Sequence, residues 1–226
     1  MSKIIAFIPA RGGSKGIPGK NIKIFCGKPL ISHSIQYALN SDLIDKVIVS
    51  SDDQKILEIA NNDGAMIIER PSELATDTST TESAIHHYLN NSKENPKIIV
   101  LLQATSPIRP KKSLDAALNY FMKKKFDSLL SICPTHRFFW KINDQKNTSP
   151  EYNHMNRPRR QDIKPIEQQY VENGSIYIFT NKHFKKTNNR LGGKIGYIIF
   201  DEKYSKEIDT KLDFTILEQI NKRFNS

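Results

Sequence analysis

Arg11, Lys15 and Lys20 are spread through a loop that also holds Gly12, Gly13, Gly16 and Gly19, directly after the apolar run Ile4-Ile5-Ala6-Phe7-Ile8-Pro9. Glycines let backbone N–H groups close around a polyanion, and the three cations supply neutralising charge. Ser14 and Asn21 complete this candidate nucleotide-binding set. Arg offers a forked donor and Lys a compact point charge, both suited to phosphate oxygens. The Walker loop is excluded, because Ser14 stands where its first Gly belongs and Asn21 follows Lys20. The dinucleotide fingerprint is excluded too, since Gly12 and Gly13 are adjacent and no alternating glycines follow. A flexible surface loop of solvated lysines is the competing reading. Position at the end of a buried strand favours a nucleoside triphosphate, because open α/β sheets hold ligands at strand carboxyl ends.

Two further sets of residues have chemical potential. Glu207 and Asp209 lie two apart in an extended segment, so both carboxylates project from one face. Paired hard oxygen donors suit Mg²⁺, which keeps one or two carboxylates beside substrate phosphates. Asp213, a few residues on, reads as a solvated side chain in the first turn of a helix. Gln103 stands just past the apolar run Ile98 to Leu102, where a ligand would sit and a buried amide needs partners. Thr105, Ser106 and Pro107 shape the loop that follows it, and Pro107 suits a turn. None of the six histidines shows metal spacing or a partnered Ser or Cys nucleophile, so surface or satisfied roles are expected.

The elements that must position these residues follow from periodicity. Strand-like runs at Ile4 to Pro9, Lys46 to Ser51, Ala65 to Ile68 and Ile98 to Leu102 alternate with helical stripes. The stripes are Ile31/Ile35/Ala38, Ile56/Ile59/Ala60, Ala84/Ile85/Tyr88 and Leu114/Ala117/Leu118/Phe121. Ser79 to Glu82 has capping-box spacing and would open the third of these helices. This alternation predicts right-handed βαβ units, hence an α/β, Rossmann-like fold with a mostly parallel sheet. Regularity weakens between Pro134 and Pro165, a polar stretch carrying Phe138, Phe139 and the sole Trp140. It reads either as a satellite cluster against the body or as an arm that pairs with a second subunit. Strands resume at Glu172 to Phe179 and at Gly196 to Phe200, and Leu212, Ile216, Leu217 and Ile220 stripe a final helix.

A chain of 226 residues fits one domain, with residues 134–169 as the inserted arm. Its 38% hydrophobic content fits a globular protein, and no apolar run approaches membrane-spanning length. With no signal-peptide pattern at the start, a cytoplasmic location and no membrane partner are expected. Cys26 and Cys133 are too few for a disulfide framework and read as reduced thiols. The net charge of +10 admits nucleic acid or small anionic substrates. Arg157-Pro158-Arg159-Arg160 could be a nucleic-acid patch or a nuclear-import signal, yet no nucleic-acid-binding signature accompanies it, so no nucleic-acid partner is expected.

Several of these motifs, in this order, resemble the acylneuraminate cytidylyltransferases, the CMP-sialic acid synthetase family. They are the opening Arg-Gly-Gly-Ser-Lys-Gly loop with its Lys20-Asn21 ending, Ser51-Asp52, Gln103-Ala104-Thr105-Ser106-Pro107, and Arg157 to Asp162. Glu172-Asn173-Gly174-Ser175, Gly192-Gly193-Lys194 and Ile208-Asp209 complete the set. The resemblance spans Ile4 to about Gln219 and implies a nucleotidyltransferase that moves CMP from CTP to the anomeric hydroxyl of a sialic acid. It implies that Arg11, Lys20 and Asn21 hold the nucleotide, with Lys15 neutralising departing pyrophosphate. Arg70 corresponds to a cytosine contact, Ser79 and Thr81 to nucleotide contacts, and Gln103, with Thr105 and Ser106, to the acceptor site. Arg157 corresponds to a catalytic arginine of an arm that reaches a partner's site in a homodimer. Asp209 is implied as a Mg²⁺ ligand; the family has Asp also at the position of Glu207, whose extra methylene leaves direct ligation open. The same transfer to another ulosonic acid (legionaminate, pseudaminate, deaminated neuraminate or Kdo) is the alternative within the family. A non-catalytic basic nucleotide-binding or nucleic-acid-binding protein is the alternative outside it.

Overall fold

In the computed structural model, which describes residues 3–225, the run Ile4–Pro9 forms a strand, β1, at the heart of a sheet. Its side chains alternate between two cores. Ile4, Ala6 and Ile8 join one and Ile5 and Phe7 the other, so both faces of the strand are covered. A small hairpin of β2 (Ile24–Phe25) and β3 (Lys28–Pro29) leads into α1 (Leu30–Leu39). The chain continues through β4 (Lys46–Ser51), α2 (Gln54–Asn62), β5 (Met66–Glu69) and α3 (Thr81–Asn91). Next come β6 (Ile98–Leu102), α4 (Ser113–Lys124) and β7 (Ser128–Thr135). A second hairpin, β8 (Trp140–Ile142) with β9 (Thr148–Pro150), precedes β10 (Gln169–Thr180). The chain closes with α5 (Asn181–Thr187), β11 (Ile195–Ile199) and α6 (Lys211–Asn225).

The main sheet has the order β11-β7-β10-β6-β1-β4-β5. Its pairings are parallel except those of β10, which runs antiparallel to both β6 and β7. The expected mostly parallel, Rossmann-like α/β architecture is therefore observed, with one reversed strand. Helices α1, α2 and α4 cover one face through Ile31, Ile35, Ile56, Leu118 and Phe121. Helix α3 covers the other through Ala84, Ile85 and Tyr88, joined there by Phe184 of α5. β10 carries a register shift between Glu172 and Tyr177, and Gly174 within it sits at φ 64°. A bulge of this kind bends the strand and re-aims the segment it contains.

A third, smaller cluster joins distant parts of the chain. Ile17 from the glycine loop packs with Phe25, Leu30, Ile208, Phe214 and Leu217, with Ile17 and Ile208 almost wholly buried. Burying these apolar groups ties the amino-terminal loop to the segment ahead of α6, which lies nearly two hundred residues away in sequence. At their closest approach, Gly16 lies against the Asp209 carbonyl, where a Cβ would overlap it.

Three expectations shift in detail. The strands expected at 65–68 and 196–200 are observed one residue away, at β5 and β11. Helix α3 is capped by Thr80, whose Oγ1 accepts the Ser83 N–H at 3.1 Å, and the predicted Ser79 capping box is absent. Ser79 is held by a local turn instead: its Oγ accepts the Thr76 N–H at 3.0 Å and lies 2.7 Å from Thr76 Oγ1. Residues 136–168 form β8, β9 and short 3-10 turns, with Trp140, Ile142, Met155 and Ile166 exposed. Their aromatics pack on one another, Phe138 and Trp140 each against Tyr152. Cys26 and Cys133 are free thiols. Among the described residues no helix is long and apolar enough to cross a membrane.

Candidate functional site

A cleft of about 400 Å³ opens at the carboxyl end of β1 and β6. Arg11, Ser14, Lys15, Lys20, Asn21, Arg70, Ser79, Thr81, Gln103, Thr105 and Asp209 all line it. The glycine loop starts where β1 ends, and the Ala10 N–H donates to Ser50 O at 2.9 Å to fix that exit. Gly12 and Gly13 fall outside the lining. The Gly12 N–H donates to Asp52 Oδ1 at 3.0 Å, and the residue lies flush against Asp53, so it shapes the loop from behind. Asn21 is buried and its Nδ2 donates to Arg11 O at 2.9 Å, a contact that fixes the loop while its edge faces the cleft.

Four cationic side chains converge here, and they differ in how they are satisfied. The Arg11 guanidinium donates to Thr76 O at 2.8 Å and pairs with Asp77 at 2.9 Å. Lys15 reaches the other oxygen of Asp77 at 2.7 Å. Lys20 donates to Ile208 O at 2.7 Å and to Asp209 Oδ1 at 3.3 Å, with its own side chain 12% exposed and that of Asp209 69% exposed. Arg70 is buried and its Nε has no hydrogen-bond partner. Burial lowers the Arg70 pKa, the Asp52 charge opposes this, and Arg11 adds to it. A buried cation with an unsatisfied Nε beside a cleft is suited to an anion or a polar base edge.

The Gln103 side of the cleft is built by stitched loops. The Ile208 N–H donates to Thr105 O at 2.8 Å, which joins the segment after β6 to the segment before α6. Gln103 and Thr105 face the cleft; Ser106 is fully buried behind them. Arg109, also buried, holds this corner together. It donates to Gln103 O at 2.7 Å, to Ser175 O at 3.1 Å and to Ser34 Oγ at 3.0 Å, and it lies over the Tyr37 ring. Burial lowers its pKa to about 10, still charged at neutral pH. Nothing in its sequence context singles it out.

Glu207 and Asp209 flank buried Ile208 and occupy different surroundings. Asp209 lines the cleft beside Lys20, whereas Glu207 is half-buried against the β10 bulge. A Cβ at Gly174 would overlap the Glu207 carboxylate and lie 3.0 Å from Gln103 Oε1, so the glycine makes room for both. Burial first, then the Asp209 charge, pushes the Glu207 pKa up to about 7, against the pull of Lys20 and Ser106. Behind them Asp213 is more than a solvated residue. Its Oδ2 accepts the Asp209 N–H at 3.2 Å and the Thr210 N–H at 2.8 Å, and the Asp213 N–H donates to Thr210 Oγ1 at 3.2 Å. This reciprocal cap starts α6 and fixes the backbone of Asp209. Among the described residues no group of three or more His, Cys, Asp or Glu is placed to hold a metal. The acidic pair alone matches what Mg²⁺ takes from a protein when phosphates supply the rest.

Arg157 is not brought to this cleft by its own chain. It lies over the Phe138 ring, 4.4 Å from the centroid, in a second cleft lined by His136, Tyr152, Arg159 and Glu167. Thr76 and Asp77, which engage the glycine-loop cations Arg11 and Lys15, escape sequence reasoning because a Thr-rich turn carries no chemical signature.

An open, mostly parallel sheet with a basic glycine loop at the end of its first strand defines a nucleotidyltransferase-type fold. Two solved structures share it. CMP:2-keto-3-deoxy-manno-octonic acid synthetase complexed with CTP superposes with a TM-score of 0.74, at 16% identity over 99% of this chain and 100% of that one. 4-Diphosphocytidyl-2C-methyl-D-erythritol synthase from Anaerococcus prevotii gives 0.69, at 14% identity over 98% and 99%. The family model described as cytidylyltransferase matches residues 5–222, and the chain belongs to this cytidylyltransferase family. It is 37% identical over 98% of its length to N-acylneuraminate cytidylyltransferase A of Danio rerio, covering 51% of that protein. It is 30% identical over 94% of its length to N-acylneuraminate cytidylyltransferase of Streptococcus agalactiae serotype III, covering 52% of it. The chain thus spans about half the length of the curated relatives it matches.

Proposed function

We propose that this chain transfers CMP from CTP to the anomeric hydroxyl of a sialic acid, releasing pyrophosphate. One observation carries the reading: Lys20, from the glycine loop, bonds Ile208 O and Asp209, so the glycine-loop cations and Asp209 share one cleft, with Glu207 just outside its lining. The two relatives named N-acylneuraminate cytidylyltransferase support sialic acid as the acceptor class.

In this reading the triphosphate lies along Arg11, Lys15 and Lys20. The base lies towards Arg70, Ser79 and Thr81, and the acceptor towards Gln103 and Thr105. The acceptor's anomeric oxygen forms a bond to the α-phosphorus and gives up its proton to water, while the bond from that phosphorus to the bridging oxygen breaks and pyrophosphate carries the electron pair away. Two anions must approach, so the chain's contribution is positioning and charge neutralisation. Asp209, with Glu207 behind it, would hold Mg²⁺, and the pair fits: burial first, then the Asp209 charge, raises the Glu207 pKa, and a divalent cation beside the two carboxylates would offset their repulsion. When bound, Mg²⁺ neutralises charge on the phosphates. The mostly exposed Asp209 is held by Lys20 at only 3.3 Å, a contact that a stronger cation displaces at small cost. Arg157 completes the site from a second copy of the chain, since its own chain leaves it over Phe138.

The test is incubation with CTP, Mg²⁺ and a panel of ulosonic acids, with released pyrophosphate as readout. Pyrophosphate formed with a sialic acid in preference to the other ulosonic acids is the expected result. Preference for another ulosonic acid overturns the acceptor assignment, and pyrophosphate with none of them overturns the transfer itself.

A further inference from the structure

We propose that Asp77 is a built-in competitor for the triphosphate site: its carboxylate occupies the Arg11 and Lys15 cations and must leave them when phosphate binds. The proposal rests on the nucleotide reading of the cleft above. One oxygen of Asp77 lies 2.9 Å from the Arg11 guanidinium and the other 2.7 Å from Lys15 Nζ. A carboxylate that spans two cations with both oxygens imitates a phosphate group in charge sign and in acceptor geometry.

Neighbouring contacts hold Asp77 in this place. Thr76 O accepts a second bond from Arg11 at 2.8 Å, and Ser79 Oγ closes the turn by accepting the Thr76 N–H. Lys15 is the first cause and Arg11 a further cause of a lowered Asp77 pKa, so the carboxylate stays ionised wherever the enzyme works. Asp77 is nevertheless half-exposed, at 43%, and Lys15 is 78% exposed. Pairs this open are weakly bound and easily exchanged for a polyanion. Arg70, buried in the same cleft with no hydrogen-bond partner at Nε, is a further cation lining it, and Asp77 does not pair with it. The arrangement keeps the loop ordered before nucleotide arrives. After transfer, return of the Asp77 carboxylate to Arg11 and Lys15 favours departure of pyrophosphate. Asp77 thereby tunes affinity for the phosphate tail without touching the sugar acceptor.

The experiment is calorimetric titration of inorganic pyrophosphate and, separately, of CTP into the wild-type chain, Asp77→Asn and Asp77→Glu. Pyrophosphate should bind Asp77→Asn about three- to tenfold more tightly than wild type, from loss of two partly exposed ion-pair competitors. Asp77→Glu keeps the charge and should stay close to wild type, which separates competition from a folding defect. Equal or weaker pyrophosphate binding by Asp77→Asn overturns the proposal, because Asp77 would then not oppose the anion. Pyrophosphate gain with no CTP binding in any form would sustain the competition and remove the nucleotide reading instead.

Discussion

Lys20 Nζ lies 2.7 Å from the carbonyl of Ile208 and 3.3 Å from Oδ1 of Asp209. This contact joins the two ends of the chain, and it exists because Ile17 and Ile208 are buried in one apolar cluster. Site geometry therefore depends on apolar packing by residues that sit next to the charged groups in sequence, Ile208 between Glu207 and Asp209 and Ile17 between Lys15 and Lys20.

Asp209→Asn keeps the volume and removes the charge. Turnover should fall about 100-fold or more, the scale of losing a metal's several kcal/mol at a reacting phosphate. CTP should still bind, because Arg11, Lys15 and Lys20 are untouched. An independent readout comes from Glu207, whose pKa of about 7 owes its second-largest push to Asp209. In ¹³C-labelled protein free of metal, the Glu207 carboxyl should titrate at lower pH in the variant. An unmoved titration would show that burial alone sets it.

Two carboxylates near α6 should make opposite contributions to stability against pH. Glu207 has a folded pKa raised from 4.5 to about 7, so its contribution is full below about 4.5 and is lost as pH rises through 7. The Asp213 pKa is lowered, chiefly by the Thr210 hydroxyl and backbone, so its contribution is present above 3.8 and lost as pH falls through the lower folded value. Urea unfolding in chelator across pH should show both slopes. Glu207→Gln should flatten the neutral one and Asp213→Asn the acid one, the latter with the cap largely kept because the amide oxygen still accepts from Thr210.

Ile208→Ala should cost about 2–4 kcal/mol in folding free energy, the usual range for a buried isoleucine truncated to alanine. It should also raise the KM for CTP, because the cavity lies beneath the segment that carries Asp209. Ile56→Ala, in the large core under α2, should lose similar stability and leave KM unchanged. Equal kinetic effects from both would show that Ile208 acts only through global stability.

The sheet was readable in the chain because its strands are continuous apolar runs, as in Ile98-Ile99-Val100-Leu101-Leu102, and its helices carry clean stripes. The reversed direction of β10 was not, since hydrophobic pattern says nothing about which way a strand enters a sheet. At the site, residues with a distinctive type and place were legible: Arg11, Lys20, Arg70, Gln103 and Asp209 all reach one cleft. Residues whose role comes from contact were not. Thr80 rather than Ser79 caps α3 because the Thr76 turn uses Ser79 first, a competition that spacing alone does not reveal. Arg109 sits in an ordinary Ile-Arg-Pro context, and only burial against the Gln103 and Ser175 carbonyls gives it a task. Gly12 and Gly13 resemble phosphate ligands in sequence yet lie off the lining.

Separation of Arg157 from the cleft within one chain makes the proposed dimer testable by complementation. Lys20→Met removes the cation that joins loop to acidic pair, and Arg157→Ala removes the arm's contribution; each should be nearly inactive alone. If the arm serves a partner's site, a mixed dimer of the two variants contains one site with native Lys20 and native Arg157. Random mixing of equal amounts yields about half mixed dimers, each with one of two sites intact, so activity should recover to about a quarter of wild type. Mixing must follow unfolding and refolding, or co-expression, so that chains exchange. No recovery, with mixed dimers verified by mass, would place Arg157's function within its own chain or outside the reaction.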